Sequence, residues 1–190
     1  MSSAVHEIVS AIEPADRLEA EHRAATLAWL AGTGDVFRRV KPDVPPQHLV
    51  SYVLPVDPAD GAVLLVDHIN AGLWLPPGGH VEPGEHPYDT ARREVAEELG
   101  LTAAPHRDPL FLTVTRTVGI DSGHTDVSLW YVLPCPRAEP LSPDAGEFHR
   151  VRWFAPGELP PASRLDPHFP RFLAKIAKPA PAPGPDRERA

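Results

Sequence analysis

The sequence predicts a mixed α/β domain, and three observations carry that prediction. Apolar residues first recur at helical spacing; the chain then switches to short β-branched and aromatic runs separated by turn residues; and one amphipathic helix interrupts those runs. With 190 residues, 42% of them apolar, the chain is long enough for one domain with a substantial core.

In chain order, Val5, Ile8, Val9 and Ile12, then Leu18, Ala25, Leu27 and Leu30, predict helices over residues 4–12 and 16–31, broken at Pro14 and stopped by Gly32. KPDVPP at 41–46 holds three prolines in six residues and reads as a linker. HLVSYVLPV (48–56) and GAVLLVDH (61–68) predict a hairpin closed by DPADG. LWLPPGGHV (73–81) begins as a short strand and becomes a glycine loop. Further strands are expected at 111–118, 126–133 and 150–154, and a last helix at 168–177. The stretch KPAPAPGPDRERA (178–190) alternates proline and alanine with few large apolar residues, and is expected to be disordered. These boundaries divide the chain into a helical extension with its linker (1–46), an α/β domain (47–177) and a tail (178–190).

Charge and cysteine content narrow the function. The net charge is −8 and the 18 basic residues are scattered, so neither a nucleic-acid polymer nor a membrane is an expected partner, whereas a small anionic ligand is compatible. Cys135 is the only cysteine, which excludes an internal disulfide framework and a cysteine-built zinc site and fits a cytoplasmic setting. The acidic N-terminal stretch does not resemble a secretory signal, and no apolar run approaches the length of a membrane span.

The chemistry concentrates in GHVEPGEHPYDTARREVAEELGL, residues 79–101. Pro87 suits the first turn of a helix, Asp89 is an acid at its positive end and Gly100 suits its end, which places a helix at about 87–99. On it Glu94, Glu97 and Glu98 are related by i, i+3 and i+4, so three carboxylates crowd one face, and each like-charged neighbour costs roughly 0.2–0.5 kcal/mol. Tyr88, Ala91, Val95 and Leu99 form a neighbouring apolar stripe that can be buried against a sheet. Arg93 points about 100° away from Glu94 around the helix and is expected to meet Glu85 or the loop. Oxygen ligands at this spacing suit Mg²⁺ or Mn²⁺, although the same spacing occurs on ordinary solvated helix faces.

Gly79, Glu85, Arg93-Glu94-Val95, Glu97-Glu98 and Gly100-Leu101 fill every fixed position of the Nudix box, and the chain therefore resembles the Nudix hydrolases. The box covers 23 residues, and the strands and helices over roughly 47–177 are compatible with the family's α/β/α sandwich and its mixed sheet. The resemblance implies hydrolysis of a small nucleotide carrying a diphosphate linkage, with Glu94, Glu97 and Glu98 as ligands of Mg²⁺ or Mn²⁺ and the carbonyl of Gly78 or Gly79 joining them. It makes Glu85 and Arg93 a supporting ion pair. Glu94 or Glu98 is the first choice for general base, with Glu147 the later-loop alternative.

Trp74, Trp130 and Tyr131 are candidates for stacking a base, with core packing as the competing role. His80, His124 and Asp126 are candidates for substrate contact. Family markers for ADP-ribose, dinucleoside polyphosphates and NADH are absent, with Arg116 near the place of the ADP-ribose proline. A nucleoside triphosphate or another nucleoside diphosphate derivative is the expected substrate class. The alternative is a non-catalytic nucleotide sensor or interaction module, whose N-terminal helices would offer a partner surface or a homodimer interface. The isopentenyl diphosphate isomerases share the fold but carry a cysteine upstream of the box, whereas Cys135 lies downstream.

Overall fold

The structure is a computed structural model that describes residues 2–41, 43–119 and 122–177, so the tail expected to be disordered lies outside the described residues. Helix α1 (Ser2–Ala11) is followed by α2 (Arg17–Gly32), whose first turn is capped by Asp16 accepting the Glu19 N–H at 2.8 Å. Strands β1 (Gln47–Val56) and β2 (Val63–His68) form the expected antiparallel hairpin, with Val56 opposite Val63. Asp57 closes the turn between them: its N–H donates to Ala62 O and its carbonyl accepts the Gly61 N–H, both at 2.8 Å. Then come β3 (Trp74–Leu75), β4 (Gly78–His80), α3 (Pro87–Leu99), β5 (Phe111–Arg116), β6 (Thr125–Pro134), β7 (Phe148–Phe154) and α4 (Phe169–Ile176).

Seven strands make one mixed sheet in the order β3-β2-β1-β6-β5, with β4 pairing β1 and β7 pairing β2. β1 and β6 run parallel from Gln47 opposite Thr125 to Val56 opposite Pro134. Side chains alternate between the two faces, so each central strand feeds two apolar layers. Leu49, Val53, Val127, Leu129 and Tyr131 join Ala91, Val95 and Leu99 of α3 in the first, and Leu54, Trp130 and Val132 join Phe169 and Phe172 of α4 in the second.

The glycine loop expected after β3 is instead a strand, with Gly79 opposite Ser51 and Gly78 opposite Tyr52. A side chain at Gly78 would bring its Cβ to 2.2 Å from the Ser51 carbonyl oxygen, and φ there is 152°. Glycine is what lets this segment lie against β1, and loop-like composition hid a paired strand.

The N-terminal helices are docked onto the sheet. α1, the residue that follows it and α2 contribute Val5 and Val9, Ile12, and Leu30 to the first apolar layer. β5 is an edge strand, and α2 satisfies its outward N–H groups: Leu112 N–H donates to Glu19 Oε1 at 3.4 Å and Val114 N–H to His22 Nδ1 at 3.3 Å. Glu19 is fully buried and paired with Lys175 of α4 at 2.6 Å, while Asp16 takes both the Nε and Nη2 of Arg171. One face of α2 is thus occupied by β5 and α4.

Candidate active site

Helix α3 forms where its sequence signals place it. Pro87 sits in the first turn, His86 accepts the Tyr88 N–H at 3.1 Å, and Gly100 ends the helix at φ 72°, where its N–H reaches Ala96 O. Ala91, Val95 and Leu99 are fully buried, which fixes the rotation of the helix against the sheet. That rotation carries Glu94 and Glu98 to the border of the buried face, where they are 9% and 5% exposed, and leaves Glu97 exposed.

Both buried glutamates meet β4. Glu98 Oε2 accepts the Gly78 N–H at 2.9 Å. Glu94 lies so close to Gly79 that a Cβ there would stand 2.2 Å from its Oε1. Gly78, Gly79, Glu94, Glu98 and Glu147 line one wall of a cavity of about 520 Å³, within the usual size of small-molecule sites. Burial pushes the Glu94 carboxyl up to about 7 despite the Arg93 guanidinium beside it. Burial, with the adjacent charge of Glu94, pushes Glu98 up to about 9 against the pull of the Gly78 N–H; Glu147 adds to the rise at both. Glu147, proposed from sequence only as a later-loop acid, is therefore close to both.

Arg93 reaches further than helical angle alone suggests. Its guanidinium forks onto Glu85 at 2.9 and 3.0 Å, and the same group contacts Glu94 at 2.7 Å, Glu97 at 3.2 Å and the His80 carbonyl at 3.3 Å. The expectation that it turns away from Glu94 fails because a five-donor fork on a long stem spans neighbouring helix positions. Glu97 faces this guanidinium and is not in the cavity wall.

His80, His124 and Asp126 also line the cavity, and behind them the fold brings His48, which sequence reasoning missed, into one cluster with the three. The four offer ligand atoms within 4.8 Å of one another. Burial opposes ionisation of Asp126, but the surrounding imidazoles outweigh it and hold the carboxyl down to about 2. Burial lowers His80 against the attraction of Asp126. The available signal was His48 standing on the same strand face as Val50 and Tyr52, a polar residue where an apolar one was due.

The three aromatic candidates are core residues. Trp74 is 6% exposed, packs edge-on against Phe154 and is absent from the cavity wall. Trp130 and Tyr131 are fully buried, with Trp130 Nε1 donating to Thr113 Oγ1 at 2.9 Å. Arg38, Lys41 and Arg116 bring positive charge to the cavity wall, Lys41 from the start of the stretch that composition suggested was only a linker.

The raised glutamates give a testable stability profile. A carboxyl whose folded value lies above its unfolded one keeps its proton longer in the native state, so stability falls as pH rises between the two values. Above pH 7 the half-buried His22, His80 and His168, whose values are lowered, are essentially neutral in both states and drop out. The protein in chelator is therefore expected to lose stability from pH 7 to 9, at up to about 1.4 kcal/mol per pH unit for each proton. Thermal melts would show this slope, and Glu98→Gln should flatten it; an unchanged slope in that variant would refute the assignment.

A family model described as NUDIX domain matches residues 46–176. A MutT-like protein from Streptomyces ambofaciens is 29% identical over 115 residues, covering 60% of this chain and 69% of that protein. The m7GpppN-mRNA hydrolase of Bos taurus is 56% identical over 34 residues, which are 18% of this chain and 11% of its own length, so the chain spans only a small part of that relative. A solved MutT NUDIX hydrolase from Burkholderia pseudomallei matches with a TM-score of 0.53 at 25% identity, covering 67% of this chain and 96% of its own.

Proposed function

This chain belongs to the Nudix family and is a pyrophosphohydrolase, and from that premise we propose that it cleaves a diphosphate linkage in a nucleoside di- or triphosphate derivative, using Mg²⁺ or Mn²⁺ held by Glu94 and Glu98. The observation that carries this reading is the pair of buried carboxyls side by side at one cavity wall, each pushed well above the ordinary carboxylate range. Two such groups favour a cation over two protons at neutral pH, and an all-oxygen donor set fits a hard divalent ion. The carbonyl of Gly78 or Gly79 completes the proposed set together with Glu97, which must first turn from the Arg93 guanidinium toward the cavity. When bound, the ion supplies charge neutralisation at the diphosphate and acidifies a water molecule.

The chain's own residues do the rest. The Gly78 N–H orients Glu98, and Arg93 holds Glu94 while anchored on Glu85. Glu147, which faces the cavity beside both glutamates, is assigned as the acceptor of the water's proton. Arg38, Lys41 and Arg116 draw the substrate's phosphates to the same cavity. A cytoplasmic setting agrees with the single, buried cysteine.

Hydrolysis in ¹⁸O-water with a panel of nucleoside triphosphates and diphosphate derivatives tests this. The label is expected on a phosphorus of the diphosphate linkage, with nucleoside monophosphate among the products and no turnover in chelator. Label on a sugar carbon, or full activity in chelator, would defeat the mechanism.

A further inference from the structure

We propose that His48, His80, His124 and Asp126 form a second metal site, separate in ligand chemistry from the glutamate pair, that binds a four-coordinate first-row transition cation, with Zn²⁺ the best match. Three adjacent strands bring the ligands together on one face of the sheet. His48 in β1 stands opposite Asp126 in β6, His124 lies two residues before Asp126, and His80 in β4 stands opposite Val50, two residues on from His48.

The three edges that meet Asp126 are close to those of a coordination shell. The Nε2 atoms of His48, His80 and His124 lie 3.4, 3.6 and 3.2 Å from one oxygen, Asp126 Oδ1. Metal–ligand bonds of about 2.0–2.1 Å in a tetrahedron set ligand-to-ligand edges of about 3.3–3.4 Å. Neither His48 Nε2, His80 Nε2 nor Asp126 Oδ1 makes a hydrogen bond, although each is shut off from solvent. Buried polar atoms left in that state call for an occupant.

His48 shows the sense of the missing partner. Its side chain is fully buried, and its Nδ1 lies 2.9 Å from the Pro45 carbonyl oxygen, which can only accept. The ring proton therefore sits on Nδ1, and in the neutral ring Nε2 turns a lone pair toward a carboxylate oxygen. Two electron-rich atoms so placed repel unless positive charge stands between them; a proton on one ring would settle that ring alone, whereas a cation settles all four ligand atoms at once, and a ring nitrogen bonded to a backbone carbonyl opposite the coordinating one is the usual support of a metal-bound histidine. Three imidazoles with one carboxylate select a borderline ion such as Zn²⁺ over Mg²⁺, which prefers oxygen. Four protein ligands fill a tetrahedron, so the ion fastens β4 to β1 and β6. His80 directly follows Gly78 and Gly79, and the ion thereby holds the glycine strand on which Glu94 and Glu98 rest.

The full chain, stripped with chelator, would be incubated with Zn²⁺ alone, desalted and assayed for bound metal, with X-ray absorption read on the wild type. One retained Zn²⁺ per chain is expected, with a shell of three imidazoles and one oxygen at about 2.0 Å. His80→Asn and Asp126→Asn should each weaken binding by at least about a hundredfold, more than loss of a supporting hydrogen bond costs. Glu98→Gln should retain the ion. His80 is 23% exposed, which favours a folded variant, and the absorption measurement needs no variant. The proposal is overturned if no Zn²⁺ is retained, or if both variants keep it, since the ion would then be bound by other residues of a chain that has ten histidines in all. Loss in Glu98→Gln alone would place the ion on the glutamates, overturning this proposal while leaving the hydrolase reading intact.

Discussion

Glu98→Gln is expected to lower kcat by at least about a thousandfold, while the metal-free protein melts at the same temperature or higher. The amide keeps the shape of the carboxyl and can still accept the Gly78 N–H through its oxygen. It removes the charge that a divalent ion needs, and with it the cost of holding a second buried carboxylate beside Glu94. A global defect would lower activity and melting temperature together, whereas the expected result separates them. Near-normal turnover at saturating Mg²⁺ would remove Glu98 from the site.

The neighbouring glycines should respond to the same substitution in opposite ways. At Gly79 an alanine Cβ would meet the end of the Glu94 side chain, 2.2 Å from Oε1 and 2.5 Å from Cδ, a flexible group that can move aside. Gly79→Ala is expected to displace Glu94 and cut kcat by about a hundredfold, with stability lowered by no more than about 1 kcal/mol. At Gly78 the Cβ would meet backbone, the Ser51 carbonyl oxygen at 2.2 Å and Tyr52 Cα at 2.8 Å, in a φ region that side chains rarely adopt. Gly78→Ala should therefore cost roughly 2–4 kcal/mol and lower Tm by roughly 5–15 °C. Kinetics and thermal melts on the pair decide the matter, and equal losses of stability in both would show that the close approach of Glu94 is not what Gly79 provides.

Legibility in the sequence followed the range of the forces involved. α3 was readable to its ends because its signals are local: a proline in the first turn, a glycine after the last and an apolar stripe between. The hairpin of β1 and β2 was readable for the same reason. β4 was not, because glycine carries no side-chain pattern and its strand character comes from β1 lying alongside. The glutamate cluster and the Glu85–Arg93 pair lie within 14 residues of one another and could be read from spacing. His48 could not be joined to His80, His124 and Asp126, since only the pairing of β1 with β4 and β6 brings residues so far apart onto one face. Trp74, Trp130 and Tyr131 show the converse: their chemistry permitted a ligand role, and burial alone assigned them to the core.

The ties between α2 and α4 also set an order of events during synthesis. Asp16 and Arg171 are 155 positions apart, and Glu19 and Lys175 are 156. At roughly 5–20 residues per second, the ribosome needs about 8–30 s to deliver those partners. Through that interval Glu19 has no lysine, and until β5 emerges α2 has no strand to cover. The first helices made are among the last to find their final contacts, so the nascent chain cannot finish folding in the order in which it is built, and a chaperone that shields α2 has a defined period in which to act.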